Sequence, residues 1–362
     1  HAGDGALTIA ATTLEGRAGT IASNGALTLI GESTNLRDAM TVAQRISLDT
    51  GALTTAGGTL IAAGDDPLLL RVCNTLDNSG GTIRTNGGLQ VAAGALTNAA
   101  GTISSAGAAA TEITVPGRLD NAGGAIATAG ATTLRAGEFI NRGGHVQAAG
   151  EAPVRMTVDG QLVNDDGTIE SNGDIALEAR ALSNRNGVVQ AQQAITANLA
   201  EGLDNGGGTV MAGGDLTVRV STAPAAPIAT LDNRGGLLAS RSGDVGLDAA
   251  GIDNREAGRL VGSRDLQLQT VGLNNAGGTV YATRNLSYEN AAGTLDNAGG
   301  EFGAGDTLRL ALAQIGNGNG GRIQSDTLWL DSALLDIDGG EVAATELHAQ
   351  LGTLTGVGRV VG

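Results

Sequence analysis

The sequence predicts an all-β fold, a parallel β-helix in which short strands stack coil upon coil. Three observations predict it: a phrase that recurs throughout the chain, strand-like runs between its copies, and 60 glycines with only two Phe, two Tyr and one Trp. An aromatic side chain usually buries ~150–250 Å², so a chain this poor in aromatics has a thin interior. A thin core that each unit completes only on its neighbours is typical of solenoids.

The recurring phrase is L-x-N-x-G-G-x-I, as in LDNSGGTI at 76–83 and LDNAGGAI at 119–126. Its asparagine returns in twelve copies, at Asn78, Asn98, Asn121, Asn141, Asn164, Asn184, Asn205, Asn233, Asn254, Asn275, Asn297 and Asn317, and the copy at 53–60 has a threonine in its place. Clear repeats cover 53–323, and degenerate coils cover 1–52 and 324–362. We therefore expect about 16–17 coils of ~21 residues in a single rod over 1–362, a fragment of a longer filament.

Each repeat contains alternating runs such as LQVAAG and LTVRV, bounded by Gly or Asn. Period-two alternation between turn signals indicates half-buried strands. We expect two or three strands of about three to five residues in each coil. A propeller blade needs about 40 residues, so the period favours a β-helix.

The repeated asparagines and glycines predict one turn that every coil shares. Asparagine tolerates left-handed backbone angles, and stacked amides can hydrogen-bond along a column, so we expect buried, bonded side chains at Asn121, Asn205 and Asn275. The glycine three residues after the asparagine is expected to supply a positive φ. These glycines are Gly81, Gly124, Gly144, Gly208, Gly236, Gly278 and Gly300. The alternative, a row of calcium sites, would need a nine-residue repeat, and the sequence has none.

The longest coil, from Asn205 to Asn233, contains the segment STAPAAPIA at 221–229. Proline cannot donate to a strand ladder, so Pro224 and Pro227, with Ser221, predict an exposed loop. Loops often carry function. The segment is therefore either a binding loop or a tolerated irregularity.

The charge of the chain excludes several partners. All 21 basic residues are arginine, and 37 acidic residues give a net charge of −16. Such a surface repels nucleic acid, heparin-like polyanions and anionic lipid, so we expect none of these partners. No apolar run is as long as a membrane-spanning helix requires, which predicts no membrane insertion. The lone Cys73, in the run LLLRVC, is predicted to be a small core residue.

The sequence predicts no enzyme, although some parallel β-helices are polysaccharide lyases and hydrolases. Such sites need carboxylates at a fixed separation, whereas the pairs at 65–66 and 165–166 stand in turn-like, solvated contexts. His1, His145 and His348 are scattered in the repeat. We therefore predict no catalytic residue, no metal site and no cofactor.

The N-x-G-G-T-I phrase, its period, the Ala/Gly-rich strands and the acidic charge resemble filamentous haemagglutinin repeats, from about residue 14 to 360. Those repeats belong to large exoproteins of bacterial two-partner secretion. The resemblance implies a right-handed parallel β-helix on the outer surface of a Gram-negative bacterium or in its secreted material, with an outer-membrane transporter as partner during export. It also implies a part in adhesion or in contact-dependent growth inhibition.

The resulting functional hypothesis is a structural filament segment that holds an adhesive or toxin-delivery tip away from the cell. In the alternative, the segment itself is an adhesin that binds a host or bacterial receptor through loops such as 221–229. A binding module should gather aromatic anchors in one exposed patch, and the five aromatics are scattered in the sequence, which favours the filament. An autotransporter passenger is a further alternative. The irregular repeats near 1–14 and 350–362 lead us to expect that both ends are cuts through a longer filament.

Overall fold

A computed structural model describes residues 5–221 and 230–362. Over these residues the chain is an all-β parallel solenoid of about 17 turns with a spacing of about 21 residues, which confirms the predicted fold class. In the same residues no helix is long and apolar enough to cross a membrane. The chain divides into two compact units, residues 1–179 and 180–362. The single rod over 1–362 stays a prediction.

The strands of the first unit alternate between short and long. They are β1 (Leu7–Ala10), β2 (Thr13–Glu15), β3 (Thr20–Ala22), β4 (Ala26–Asn35), β5 (Met40–Ala43), β6 (Arg45–Thr54), β7 (Thr59–Ala62), β8 (Leu68–Asp77), β9 (Thr82–Thr85), β10 (Leu89–Thr97), β11 (Thr102–Ser105), β12 (Thr111–Asp120), β13 (Ala125–Thr128), β14 (Thr132–Ile140), β15 (His145–Ala148), β16 (Val154–Val163), β17 (Thr168–Ser171) and β18 (Ile175–Ser183). β18 begins in this unit and ends in the next.

The second unit continues with β19 (Val188–Ala191), β20 (Ile195–Asp204), β21 (Thr209–Ala212), β22 (Leu216–Val220), β23 (Thr230–Asp232), β24 (Leu237–Ser240), β25 (Val245–Asp248), β26 (Gly251–Asp253), β27 (Arg259–Gly262), β28 (Leu266–Gln269), β29 (Gly272–Asn274), β30 (Thr279–Ala282), β31 (Asn285–Asp296), β32 (Glu301–Ala304), β33 (Thr307–Gly316), β34 (Arg322–Asp336), β35 (Glu341–Thr355) and β36 (Arg359–Val361).

Strands pair in parallel with their equivalents one coil further along the chain. In the first unit β9 pairs with β11 and β11 with β13, while β10 pairs with β12 and β12 with β14. From β22 to β30 each coil carries three strands, so that β22 pairs with β25 and β25 with β28. Parallel neighbours need a crossover connection, and the rest of each coil provides it.

The predicted strand length is right for the short strands and wrong for the long ones. β10, β12 and β16 each have nine or ten residues because the chain bends inside the strand. The bend contains a glycine such as Gly94 or Gly160. A Cβ on these glycines would lie 2.5 Å from the carbonyl oxygen of Asn74 and 2.7 Å from that of Gly137, respectively. Glycine therefore lets the backbones of successive coils approach at the corner without ending the strand.

The core is built from inward-facing aliphatic side chains. Ile83, Ile103 and Ile126 occupy one register position and are completely buried, each contributing roughly 1.5–3 kcal/mol by burial. The interior is less free of aromatics than the composition indicates, since Phe139, Tyr288 and Phe302 are also buried. The Tyr288 hydroxyl donates to the carbonyl oxygen of Thr294 at 2.9 Å, and burial raises the pKa of Tyr288.

Candidate functional site: asparagine turns and outward grooves

All twelve repeat asparagines are completely buried at the turns between coils. In the first unit, Thr55 Oγ1 donates to Asn78 Oδ1 at 2.8 Å, and Asn78 Nδ2 donates to Asn98 Oδ1 at 2.6 Å. The same bond, at 2.7 Å, links Asn98 to Asn121, Asn121 to Asn141, and Asn141 to Asn164. In the second unit it links Asn184, Asn205, Asn233, Asn254, Asn275, Asn297 and Asn317 in order, again at 2.7 Å. We call these rows the asparagine ladder.

Asn121 shows how fully each member is bonded. Its Nδ2 also donates to the carbonyl oxygen of Gly124 in its own turn at 3.1 Å and to that of His145 in the next coil at 3.4 Å. Its backbone N–H donates to the carbonyl oxygen of Ile140 at 2.7 Å. A buried polar group without partners costs about 1–3 kcal/mol, and this arrangement gives the amide nitrogen partners both in its own turn and in the next coil.

The glycine three residues after the asparagine is required for a reason that differs from the predicted one. Gly81, Gly124, Gly144, Gly208, Gly236, Gly278 and Gly300 do not have a positive φ. A Cβ at Gly124 would instead collide with the carbonyl oxygen of Asn98 in the preceding coil and would lie 2.8 Å from Asn121 Oδ1. These glycines therefore let two backbones and an amide meet.

The positive φ falls one residue earlier in the turn. Gly80, Gly123 and Gly143 have φ values of 57–60°, whereas Ala100 and Asp166 occupy the same position with values of 52° and 54°. A Cβ at Gly123 would meet nothing within 4 Å. This position accordingly accepts other residues at a modest conformational penalty, which explains why the phrase varies there.

The aspartate that often precedes the asparagine has a structural part that sequence reasoning missed. The carboxylates of Asp120, Asp232 and Asp253 accept a hydrogen bond from the backbone N–H two residues further on, at 3.0–3.2 Å, a common asparagine or aspartate turn. In the second unit the carboxylates of Asp232 and Asp253 also pair with arginine. Hydrogen bonds from Arg234 lower the pKa of Asp232, and hydrogen bonds from Arg255 lower the pKa of Asp253.

An aromatic cluster lies on the outward face of the last coils. Arg309, Trp329 and His348 are register partners on successive strands. The Trp329 and His348 rings are stacked with centroids 4.0 Å apart, and the Arg309 guanidinium carbon lies 5.5 Å from the Trp329 ring centroid. His348 Nε2 also lies 2.9 Å from Glu346 Oε1. The spacing of the three residues by almost one repeat each was the sequence signal for this cluster.

Three hollows on outward faces of the second unit bear on function. The largest of them, which we call the glycine trough, has a volume of about 740 Å³ and includes the row Thr230, Gly251, Gly272, Thr294 and Gln314. A second hollow of about 420 Å³ surrounds Gly246, and a third of about 410 Å³ lies beside Trp329. Among residues 5–221 and 230–362, no group of three or more His, Cys, Asp or Glu side chains is placed to hold a metal ion.

Other predicted residues have mixed outcomes. The prediction that Cys73 is a core residue is wrong: it is exposed, because in β8 Val72 points inward and its neighbour points out. Asp66 is exposed and lies 3.5 Å from Arg45. Ser221 is exposed, while the rest of the loop at 222–229, with Pro224 and Pro227, lies outside the described residues.

A stack of parallel coils joined by buried asparagine turns defines a β-solenoid repeat protein. The sequence profile of the Haemagglutinin repeat family matches residues 2–66, 74–123, 109–152, 153–243 and 219–299. The chain belongs to this family, as the sequence resemblance predicted. No curated protein and no solved structure matched the chain. The family is of a structural and adhesin kind and consists of secreted or surface exoproteins.

Proposed function

We propose that the chain is a structural filament segment of a Gram-negative two-partner-secretion exoprotein, which holds an adhesive or toxin-delivery tip away from the cell. The observation that carries this proposal is the constancy of the asparagine ladder. Asn205 and Asn233 belong to the longest coil, yet their amides meet at 2.7 Å, as the amides of Asn297 and Asn317 do across one of the shortest. A filament segment needs a turn of this kind, whose geometry stays the same whether the coil between two turns is long or short.

Export through an outer-membrane transporter, display on the outer surface and a part in contact-dependent growth inhibition belong to the same proposal. They are supported by the family and by the net charge of −16, which favours the solubility of a long chain. We infer that the segment has no catalytic activity of its own.

Two deletions that remove the same number of coils test the filament role in the parent protein. Removing 78–163 joins Asp77 to Asn164, and removing 233–316 joins Asp232 to Asn317; each takes away four ladder intervals, or about 19 Å at ~4.8 Å per coil. If the segment is a spacer, both deleted proteins should still be exported, and the distance that the tip extends from the cell should fall by the same amount in each. This distance is assessed on whole cells as the access of an antibody to an epitope at the tip of the parent protein. Unequal reductions, or none, contradict a spacer.

The second candidate function is an adhesin segment that binds a receptor itself. The hollows on the second unit favour it, and so does the long coil between Asn205 and Asn233, which contains an insertion without breaking the ladder. Deleting 222–228 would restore a coil of the usual length. A receptor-binding loop predicts loss of cell binding by the deleted protein, whereas a tolerated irregularity predicts no change in binding or in unfolding temperature.

A further inference from the structure

The third hollow of the second unit, with a volume of about 410 Å³, lies on an outward face and takes no part in the turns. We call it the tryptophan hollow. Two neighbouring rows of register partners line it, with Arg309, Trp329 and His348 in one row, and Glu289, Ala311 and Asp331 in the other. The rows stand two residues apart in their strands, so both face outward.

The short side chain of Ala311 opens the tryptophan hollow. Its neighbours in the row are Glu289, one coil before it, and Asp331, one coil after it. Both neighbours have longer, charged side chains, so the methyl group between them forms the apolar floor of a depression. The depression extends over two coil steps, or about 10 Å at ~4.8 Å per step.

The two carboxylates at the ends of this depression lack a cation. Glu289 and Asp331 are exposed, and neither forms an ion pair within residues 5–221 and 230–362. Glu289 accepts one hydrogen bond, from the Ser287 hydroxyl at 2.9 Å. On an outward face of the first unit, by contrast, Arg135 lies 3.4 Å from Glu112 of the preceding coil. The tryptophan hollow has no such arginine from its own row.

Trp329 gives the hollow a rigid apolar wall. Arg309 precedes it by one coil and His348 follows it by one coil, with the guanidinium carbon 5.5 Å and the imidazole centroid 4.0 Å from the indole centroid. These contacts hold the indole in place, so a partner that packs on its exposed part immobilises little further side-chain motion. Tryptophan is also enriched among the residues that dominate binding energy at interfaces, and 43% of Trp329 is exposed.

The chemistry of the hollow selects one kind of partner group. Two carboxylates attract a cation and repel an anionic group, while the alanine floor and the indole wall favour an apolar surface. An arginine side chain combines both properties, because its aliphatic stem packs on apolar surface while its charged end stays at the rim. Its planar guanidinium also presents five N–H donors in a fork that suits carboxylates.

We propose that the tryptophan hollow is a docking site for a segment of a partner protein that presents an arginine side chain. The stem of this arginine packs on the Ala311 methyl group and the exposed part of Trp329, and its guanidinium donates to the carboxylates of Glu289 and Asp331. This interaction surface goes beyond the filament role and does not depend on it.

Trp329 is the one tryptophan of the chain, so its fluorescence reports directly on the hollow. The acetylated and amidated peptide Gly-Gly-Arg-Gly-Gly is added to the whole chain at low ionic strength, and the emission is followed. The matched ligand is the same peptide with citrulline, whose uncharged side chain has nearly the shape of arginine. We expect saturable binding of the arginine peptide and binding at least about tenfold weaker for the citrulline peptide. Added salt should weaken the arginine peptide's binding.

Substitutions of the two carboxylates locate the interaction. Glu289→Gln and Asp331→Asn should each weaken binding of the arginine peptide at least about threefold, and the double variant at least about tenfold. Asp248→Asn is the matched control, because it removes one exposed carboxylate of β25 that does not line this hollow. The control loses the same net charge as each test variant, and its binding should stay within about twofold of the natural chain.

Filling the hollow from within provides a second test. Ala311→Arg places an arginine of the chain itself between Glu289 and Asp331, as Arg135 stands beside Glu112 in the first unit. We expect this variant to lose saturable binding of the peptide, while its unfolding temperature stays the same or rises. Loss of binding with undiminished stability separates a docking site from a defect in folding.

Three results would overturn the proposal. In the first, the arginine peptide causes no saturable change in the emission of the natural chain. In the second, the citrulline peptide binds as tightly as the arginine peptide, so that the carboxylates contribute nothing. In the third, Asp248→Asn weakens binding as much as Glu289→Gln does, which would assign the attraction to the net charge of −16 rather than to the hollow. Equal effects of the two coil deletions would leave the filament role standing in each case.

Discussion

The turns from Asn78 to Asn317 and the coils that follow keep their register by different means. In the first region, the strands that flank each turn include runs of only four residues, such as β9 and β11. A hydrogen bond between buried asparagine side chains joins each turn to the next within each unit. After Asn317 the position belongs to Ile337, which is buried. There the much longer strands β34 and β35 pair from Arg322 and Glu341 to Asp336 and Thr355.

The difference shows what the ladder contributes. Short strands with repetitive sequences can slip against each other, and a slip of one residue exchanges the inward and outward faces. A buried polar row penalises every slipped register, because its amides would lose their partners. The long pairing of β34 with β35 already specifies its register through many side chains, so an isoleucine can replace the amide. Asn317 Nδ2 keeps the bond that Asn297 also makes to a carbonyl oxygen of the next coil, here that of Glu341 at 2.9 Å.

Replacing asparagine by isoleucine in the first region should destabilise the protein strongly, whereas the reverse replacement in the last coils should change its stability little. Asn121→Ile leaves Asn141 Oδ1 without its donor and removes an acceptor from Asn98, so we expect a loss of roughly 2–4 kcal/mol in the free energy of unfolding. Ile337→Asn exchanges apolar burial for a ladder bond from Asn317, and the change should stay within about 1.5 kcal/mol. Urea unfolding measures both. Similar losses at the two sites would contradict a ladder confined to the first region.

Two adjacent glycines of one turn should respond differently to the same added methyl group. Gly124→Ala places a Cβ against the backbone of the preceding coil, and overpacking of this kind typically costs about 1–3 kcal/mol. Gly123→Ala, where the φ is 60° and space is open, should cost no more than about 1–2 kcal/mol, as the natural Ala100 indicates. Thermal unfolding of the two variants decides the order. A reversed order would mean that the φ, rather than the close approach, selects glycine.

In the last coils the exposed aromatic cluster should matter far less than any ladder residue. Trp329→Ala removes the stack with His348 and the contact with Arg309, and pairs of this kind contribute about 0.5–1.5 kcal/mol when buried and less when exposed. We expect a loss below about 1 kcal/mol, with Trp329→Phe intermediate. A loss as large as that of Asn121→Ile would show that the cluster also fixes register.

The pair of Asp232 with Arg234 provides the smallest expected effect. Because Arg234 lowers the pKa of Asp232, the stabilisation from this pair is present above the ordinary aspartate pKa of about 3.9 and is lost as the pH falls through the lower folded value. Carboxyl resonances followed by NMR should titrate below the usual range in the natural chain and move upward in Arg234→Gln. Arg309→Gln, which changes an arginine of the aromatic cluster, is the control and should leave the pKa of Asp232 unchanged.

The repeat made the fold and the asparagine turn predictable because identical turns leave a period in the sequence. The long strands were not predictable, since the glycine of the bend, as at Gly94, looks like the glycine of a turn. The same ambiguity hid the difference between Gly123 and Gly124: among 60 glycines, only the space around each one shows which of them meets the backbone of the preceding coil. Cys73 was misplaced because one residue of strand alternation decides between core and surface.

Within each unit, every hydrogen bond between two ladder asparagines runs from the lower-numbered residue to the higher-numbered one. The turn therefore fixes the register once per coil, whatever the number of residues between two successive turns. A segment inserted at 222–229 would leave the stacking of the coils unchanged, provided that Asn205 still bonds to Asn233. The turns are thus the constant part of the chain, and the segments between them can vary in length. Foreign peptides could therefore be inserted in successive coils, one coil spacing apart, without redesigning a core residue.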